Sequence, residues 1–234
     1  MLCSLLLGGP LLGQAPVASP ALALGVNADA FGSMHLRYLH PLATGRVPLA
    51  GYVSCELPLM RTIERRAFDA WTLRLGSLAE VWRSERWLLL GGAHLSAIHH
   101  RQVLGRFVSA GAELKLTPAC LLRRGYLGLQ LRYSQSLGTH IQHSAYAQER
   151  FEDLRDASGE RLVSGPRDGW YRFTGSRLLY GLEGDFRLGQ RLALYADLGM
   201  IHFFSPYTKG FDAMMFGQVP FYLDLRLAWR LGGR

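Results

Sequence analysis

Eight histidines are present in the 234 residues, and their placement is uneven. His99 and His100 are adjacent, His140 and His143 are three apart, and His202 stands shortly before Met214 and Met215. Neutral imidazole and thioether groups together suit copper or another late transition metal. Alternate positions of an extended chain share a face. On that count His94, His100 and His140 point inward and are the set expected to converge on one ion. His99, His143, His202, Met214 and Met215 are further candidates at the same rim.

Covalent chemistry is less well provided for. Ser134, Ser136, His140, His143 and Ser144 crowd one segment. A nucleophile and its base must come within hydrogen-bond reach, with a third group orienting the base. Ser144 follows His143 directly, which on a strand puts the two on opposite faces. Ser136 and His140 share a face by simple alternation but stand roughly 13 Å apart along a strand. No catalytic residue and no cofactor is therefore expected.

The charge of +8 comes from 26 basic against 18 acidic residues, and the lysines are only Lys115 and Lys209. No basic tail, continuous basic helix or nucleic-acid motif accompanies it, so nucleic acid is excluded as the expected partner. Arg61, Arg65 and Arg66, with Glu64, form a cluster suited to charge-assisted bonds with lipid phosphates. Cys55 and Cys120 are isolated, with neither CxxC nor zinc-ligand spacing, and Cys3 lies in an apolar leader.

The elements that carry these residues alternate. From Val219 to Leu231 one face reads Val219, Phe221, Leu223, Leu225, Leu227, Trp229, Leu231, and the other carries Tyr222, Asp224, Arg226 and Arg230. The same period of two runs through Trp71–Trp82, Leu127–Ser134, Arg177–Arg187 and Arg191–Met200. Several runs reach twelve residues, with charges of both signs on the polar face. Soluble sandwich strands are shorter, about 5–6 residues, whereas a tilted membrane strand needs about 9–11. In lipid every backbone group must be paired, which leaves a closed barrel. The fold class expected is all-β, a closed antiparallel transmembrane β-barrel of 8–10 strands, with ten preferred.

Eight strands fall near 47–58, 68–82, 86–99, 107–116, 124–143, 173–187, 191–204 and 219–231. Residues 24–40 add one strand or two split near Phe31-Gly32-Ser33. Residues 1–23 read as a secretory signal, with Ala21-Leu22-Ala23 as a cleavage motif and a second near Ala15. Residues 24–234 then form the barrel domain, with a long outer loop at 144–172. Interior charges must pair, and pairs along single strands are expected: Asp224 with Arg226, Glu183 with Arg187, Glu80 with Arg74, Glu113 with Lys115.

On this strand rhythm, and on the final alternating run Phe221-Tyr222-Leu223-Asp224-Leu225-Arg226-Leu227-Ala228-Trp229, the chain resembles the small outer-membrane barrels of Gram-negative bacteria. The resemblance implies an outer-membrane location. It also implies membrane lipid and lipopolysaccharide as surroundings, the barrel assembly machinery as a partner, and a link to a transport partner. The expected role is non-enzymatic: structural, or extracellular ligand binding, or an accessory to uptake. The alternatives are an enzyme modifying lipid A and a soluble exported β-sandwich that binds a ligand.

Overall fold

The computed structural model describes residues 19–27, 32–59, 69–102, 105–146, 168–204 and 221–231. The strands are β1 (Ala21–Asn27), β2 (Ser33–Ala43), β3 (Leu49–Pro58), β4 (Ala70–Arg83), β5 (Trp87–Gln102) and β6 (Gly105–Leu122). They continue as β7 (Gly125–His143), β8 (Gly169–Arg172), β9 (Ser176–Arg187), β10 (Leu192–Phe203) and β11 (Phe221–Arg230).

Apart from β8 and β9, each strand pairs antiparallel with its neighbours in the chain, and β1 closes on β11 from Ala21↔Arg230 to Asn27↔Asp224. β8 and β9 both lie against β7, β8 on 138–141 and β9 on 125–135, so they share one position in the wall. The break between them contains Phe173, held at φ 51°, a left-handed conformation uncommon for a bulky side chain. The result is a closed up-and-down barrel of ten strands. It is one ring, not the two stacked sheets of a sandwich, which removes the β-sandwich alternative.

Residues 24–40 divide into two strands, as the ten-strand count requires. β1 begins at Ala21, so Ala21–Ala23 pair with both β11 and β2. β6 is longer than the expected 107–116 and runs to Leu122 through Pro118. Pro118 pairs with Leu89 of β5, but the β6–β7 ladder has no partner at 117 and 118. A missing N–H is tolerated where no ladder bond is required of it.

The connections 44–48, 84–86, 123–124 and 188–191 lie at the end of the barrel that also holds the start of β1 and the end of β11. Residues 28–32 and 103–104 and the longer segments 59–69, 144–168 and 204–220 connect strands at the opposite end.

The two faces of this wall are inverted relative to a water-soluble barrel. Leu24, Leu75, Leu95, Leu114, Leu129 and Leu227 stand exposed on the outside, Leu75 at 66%. Glu56, Glu113, Glu183, Asp197, Asp224 and Arg226 are buried inside. Among the described residues, the larger apolar floor lies near the start of β1 and the end of β11, made of Leu88, Leu90, Ala119, Leu121 and Tyr126, with Leu78 packed against it. Near the other end Phe107 and Ile141 meet Ile98.

Candidate functional site: the ion-paired lumen and the rim histidines

Inward positions of six or more strands meet in the lumen, and their charges pair across the wall. Lys115 Nζ lies 2.5 Å from Glu183, which also accepts from Tyr126 Oη at 2.8 Å and Thr117 Oγ1 at 3.0 Å. Arg132 reaches Asp197 at 3.1 Å and Glu113 at 3.8 Å. Gln130 Nε2 donates to Asp197 and to Tyr222 Oη. Arg74 pairs with Glu56 at 2.5 Å, and Ser33 Oγ donates to the same carboxylate. Arg226 pairs with Asp224, which stands 3.4 Å from His35 Nε2.

Tyrosines fill the spaces between these ions. The Arg37 guanidinium lies 4.2 Å from the centre of the Tyr52 ring, and Arg226 lies 4.3 Å from that of Tyr195. Such stacking satisfies a cation without a second carboxylate. The space left within the lumen is about 170 Å³, below the roughly 300–1,000 Å³ of typical small-molecule pockets.

Of the pairs expected along single strands, Asp224 with Arg226 is present. The others are re-partnered. Glu183 is taken by Lys115, Glu113 by Arg132 and His94, and Glu80 by Arg83, while Arg74 goes to Glu56. Arg74–Glu56, His94–Glu113 and Arg132–Glu113 join neighbouring strands, whose inward residues sit closer than the roughly 7 Å separating alternate residues of one strand. Lys115–Glu183 crosses the lumen past β7, and Glu80–Arg83 stays within β4, where the register shifts between Glu80 and Trp82.

The histidines separate into different environments. His94 faces the lumen, its Nδ1 2.8 Å from Tyr52 Oη and its Nε2 3.7 Å from Glu113. His100 lies on the same face six residues on, about 20 Å along the strand, stacked on Phe107 at 5.4 Å.

His140 does not point inward, contrary to the alternation count. Ala110 pairs with Gly138 but Gly111 pairs with Ser136, so Leu137 is an extra residue in β7. A bulge of this kind reverses the parity of everything beyond it. Ser134 and Ser136 belong to the inner set, whereas Thr139 and Ile141 are inward after the bulge and His140 turns out against Trp170, 5.1 Å between ring centres. The same bulge separates Ser136 from His140 on opposite faces. Ser136 bonds instead within a hydroxyl cluster of Ser109, Thr139 and Thr174.

The remaining candidates are dispersed. His99 packs on Trp71 outside the barrel, at 5.6 Å, and His202 against Phe204, at 4.8 Å. His143 Nδ1 lies 2.8 Å from Asp168, which also accepts the His143 backbone N–H at 2.8 Å. These two bonds hold the Asp168 carboxyl below its usual range. Among the described residues, no three His, Cys, Asp or Glu side chains come together in a way that could hold a metal ion. Cys55 and Cys120 are both free. Met214, Met215 and the Arg61–Arg66 cluster lie outside the described residues.

The lumen pairs Lys115–Glu183, Arg74–Glu56 and Arg132–Asp197 were not legible in the sequence as pairs. Their signal was the recurrence of one charge of each sign on the polar face of successive strands, which identifies members but not partners. No protein-family model matches the chain, and a search of curated proteins gives no match.

Proposed function

We propose that this chain is a membrane-spanning barrel of the bacterial outer-membrane type, filled rather than open, with a non-enzymatic role. One observation carries the proposal: a closed ring of strands has leucine, valine and tryptophan on its outside and an ion-pair network inside. In water that arrangement leaves far more apolar surface exposed than a monomer keeps without a partner. In hydrocarbon it is the stable one, since closure satisfies the backbone and the ions satisfy one another.

Paired side chains occupying the lumen support a structural or surface-binding role over solute conduction. The opposite-face placement of Ser136 and His140 supports the non-enzymatic alternative over lipid A chemistry. On this view the barrel assembly machinery inserts the chain. The long segments at one end then meet extracellular ligands or an uptake system.

The test is refolding into detergent and then lipid vesicles. The expected product stays with the membrane after alkaline extraction, changes gel mobility on heating, and gives no steady single-channel conductance. A product that remains monomeric and dispersed without detergent would overturn the membrane assignment. Stable conductance would overturn the filled lumen.

A further inference from the structure

The outward histidines are not scattered once the strand register is followed. Trp71 pairs with His99, His99 with Val108, Val108 with His140, and His140 with Trp170. These residues form one continuous row around the outside of β4 to β8, two histidines flanked by two tryptophans. One step toward the long segments, Arg101 pairs with Arg106 and Arg106 with Gln142. Arg101 is 68% exposed and lies 4.0 Å from Asp69, while Arg106 Nε donates to Gln142 Oε1 at 2.7 Å. Both arginines thus stand one register step from the aromatic row.

One step in the other direction the middle of the row is small, between Leu73, which pairs with Ala97, and Arg172, which pairs with Gly138. Ala97 pairs with Ala110, and Ala110 with Gly138. Leucines occupy comparable outward positions across the barrel, such as Leu182 against Leu198. Below the small row the wall holds a shallow depression of about 260 Å³, where Leu75, Leu95 and Leu114 surround Ala93 and Ala112. Arg106 and Ala112 are six residues apart, about 20 Å along the strand, or about 15 Å of depth at the usual tilt. That depth is half of a hydrocarbon core about 30 Å thick.

We infer that this face is a binding site for one phosphate-bearing membrane lipid. Arg101 and Arg106 hold the phosphate, and Trp71 and Trp170 bracket the headgroup boundary. An acyl chain lies down the shelf of Ala97, Ala110 and Gly138 into the depression. Each part matches one part of the ligand: planar cations with several donors for phosphate oxygens, interfacial tryptophans for the polar–apolar boundary, and a depressed strip for a chain. The inference rests on the membrane assignment and adds a specific lipid class to it.

The test uses the refolded full chain in detergent with an equimolar mixture of dimyristoyl phosphatidic acid and dimyristoyl phosphatidylcholine. Lipid retained on the protein is counted by native mass spectrometry. Wild type is expected to retain phosphatidic acid preferentially. The preference should fall about fivefold for each of Arg101→Gln and Arg106→Gln. Arg123→Gln with Arg124→Gln, equally cationic at the opposite end, should leave it unchanged. Ala97→Leu with Ala110→Leu fills the shelf on a lipid-facing surface and should lower retention of both lipids.

Heat-dependent gel mobility confirms that each variant is folded. Equal retention of the two lipids by a folded, membrane-inserted wild type overturns this inference and leaves the membrane assignment standing. A preference that follows Arg123 and Arg124 also overturns it. Failure to insert into membranes overturns both.

Discussion

Removing the ammonium of Lys115 is the most direct probe of the lumen. Glu183 is 1% exposed, and Lys115 is its cationic partner at 2.5 Å. In the Lys115→Met variant the carboxylate keeps its bonds from Tyr126 and Thr117 but loses the opposing charge. Breaking a buried pair from one side costs about 3–5 kcal/mol. The lower end applies here, because the Lys115 side chain retains 17% exposure and some water reaches the site. About 3 kcal/mol of destabilisation is therefore expected. The double variant Lys115→Met/Glu183→Gln removes both charges and keeps an acceptor for the two hydroxyls. It should return to within about 1 kcal/mol of wild type, since replacing a whole buried pair is often neutral. The assay is urea unfolding of the vesicle-inserted barrel followed by tryptophan fluorescence, with the midpoint shift scaled by the slope. A single variant within about 1 kcal/mol of wild type would mean that the lumen is wet and the pair is not a buried one. A double variant no better than the single would refute the charge-pairing account as well.

Three further outcomes follow from particular contacts. The two bonds from His143 hold the Asp168 carboxyl below the usual carboxylate range. The His143–Asp168 clasp thus contributes fully above the unfolded pKa and is lost as pH falls through the depressed one. The His143 amide resonance should shift with an inflection below the usual aspartate range, and Asp168→Asn should abolish it. Gly181 and Gly199 face each other across β9 and β10, and a Cβ on Gly181 would meet the Leu198 carbonyl oxygen and the Gly199 Cα. Backbone cannot yield as a side chain tip can, so Gly181→Ala should cost at least about 1–3 kcal/mol and reduce the fraction refolded on a gel. Ala21–Ala23 take part in the closing ladder, so a chain beginning at Leu24 should refold in a smaller fraction on a gel than one beginning at Ser19. Equal refolding of the two would refute the assigned closure.

The period-two pattern alone determined most of the strands, the outward apolar face and the inward charges. All of these follow from side-chain direction along an extended chain, which is local. It placed Leu225, Leu227 and Trp229 opposite Asp224 and Arg226 before any fold was known. It also favoured ten strands once residues 24–40 were allowed to divide. It failed wherever the backbone departed from strict alternation or the partner lay on another strand. The extra residue Leu137 reversed the direction of His140 and took it out of the expected set with His94 and His100. Closure gave Glu183 to Lys115 and not to Arg187, because inward side chains of β6 and β9 meet inside the lumen past the intervening β7. Register also aligned Trp71, His99, Val108, His140 and Trp170 from five separate strands into one row. Direction is a property of each residue and its neighbours, so sequence carries it. Adjacency around a closed ring depends on shear and bulges summed over the whole wall, so only the folded barrel decides it.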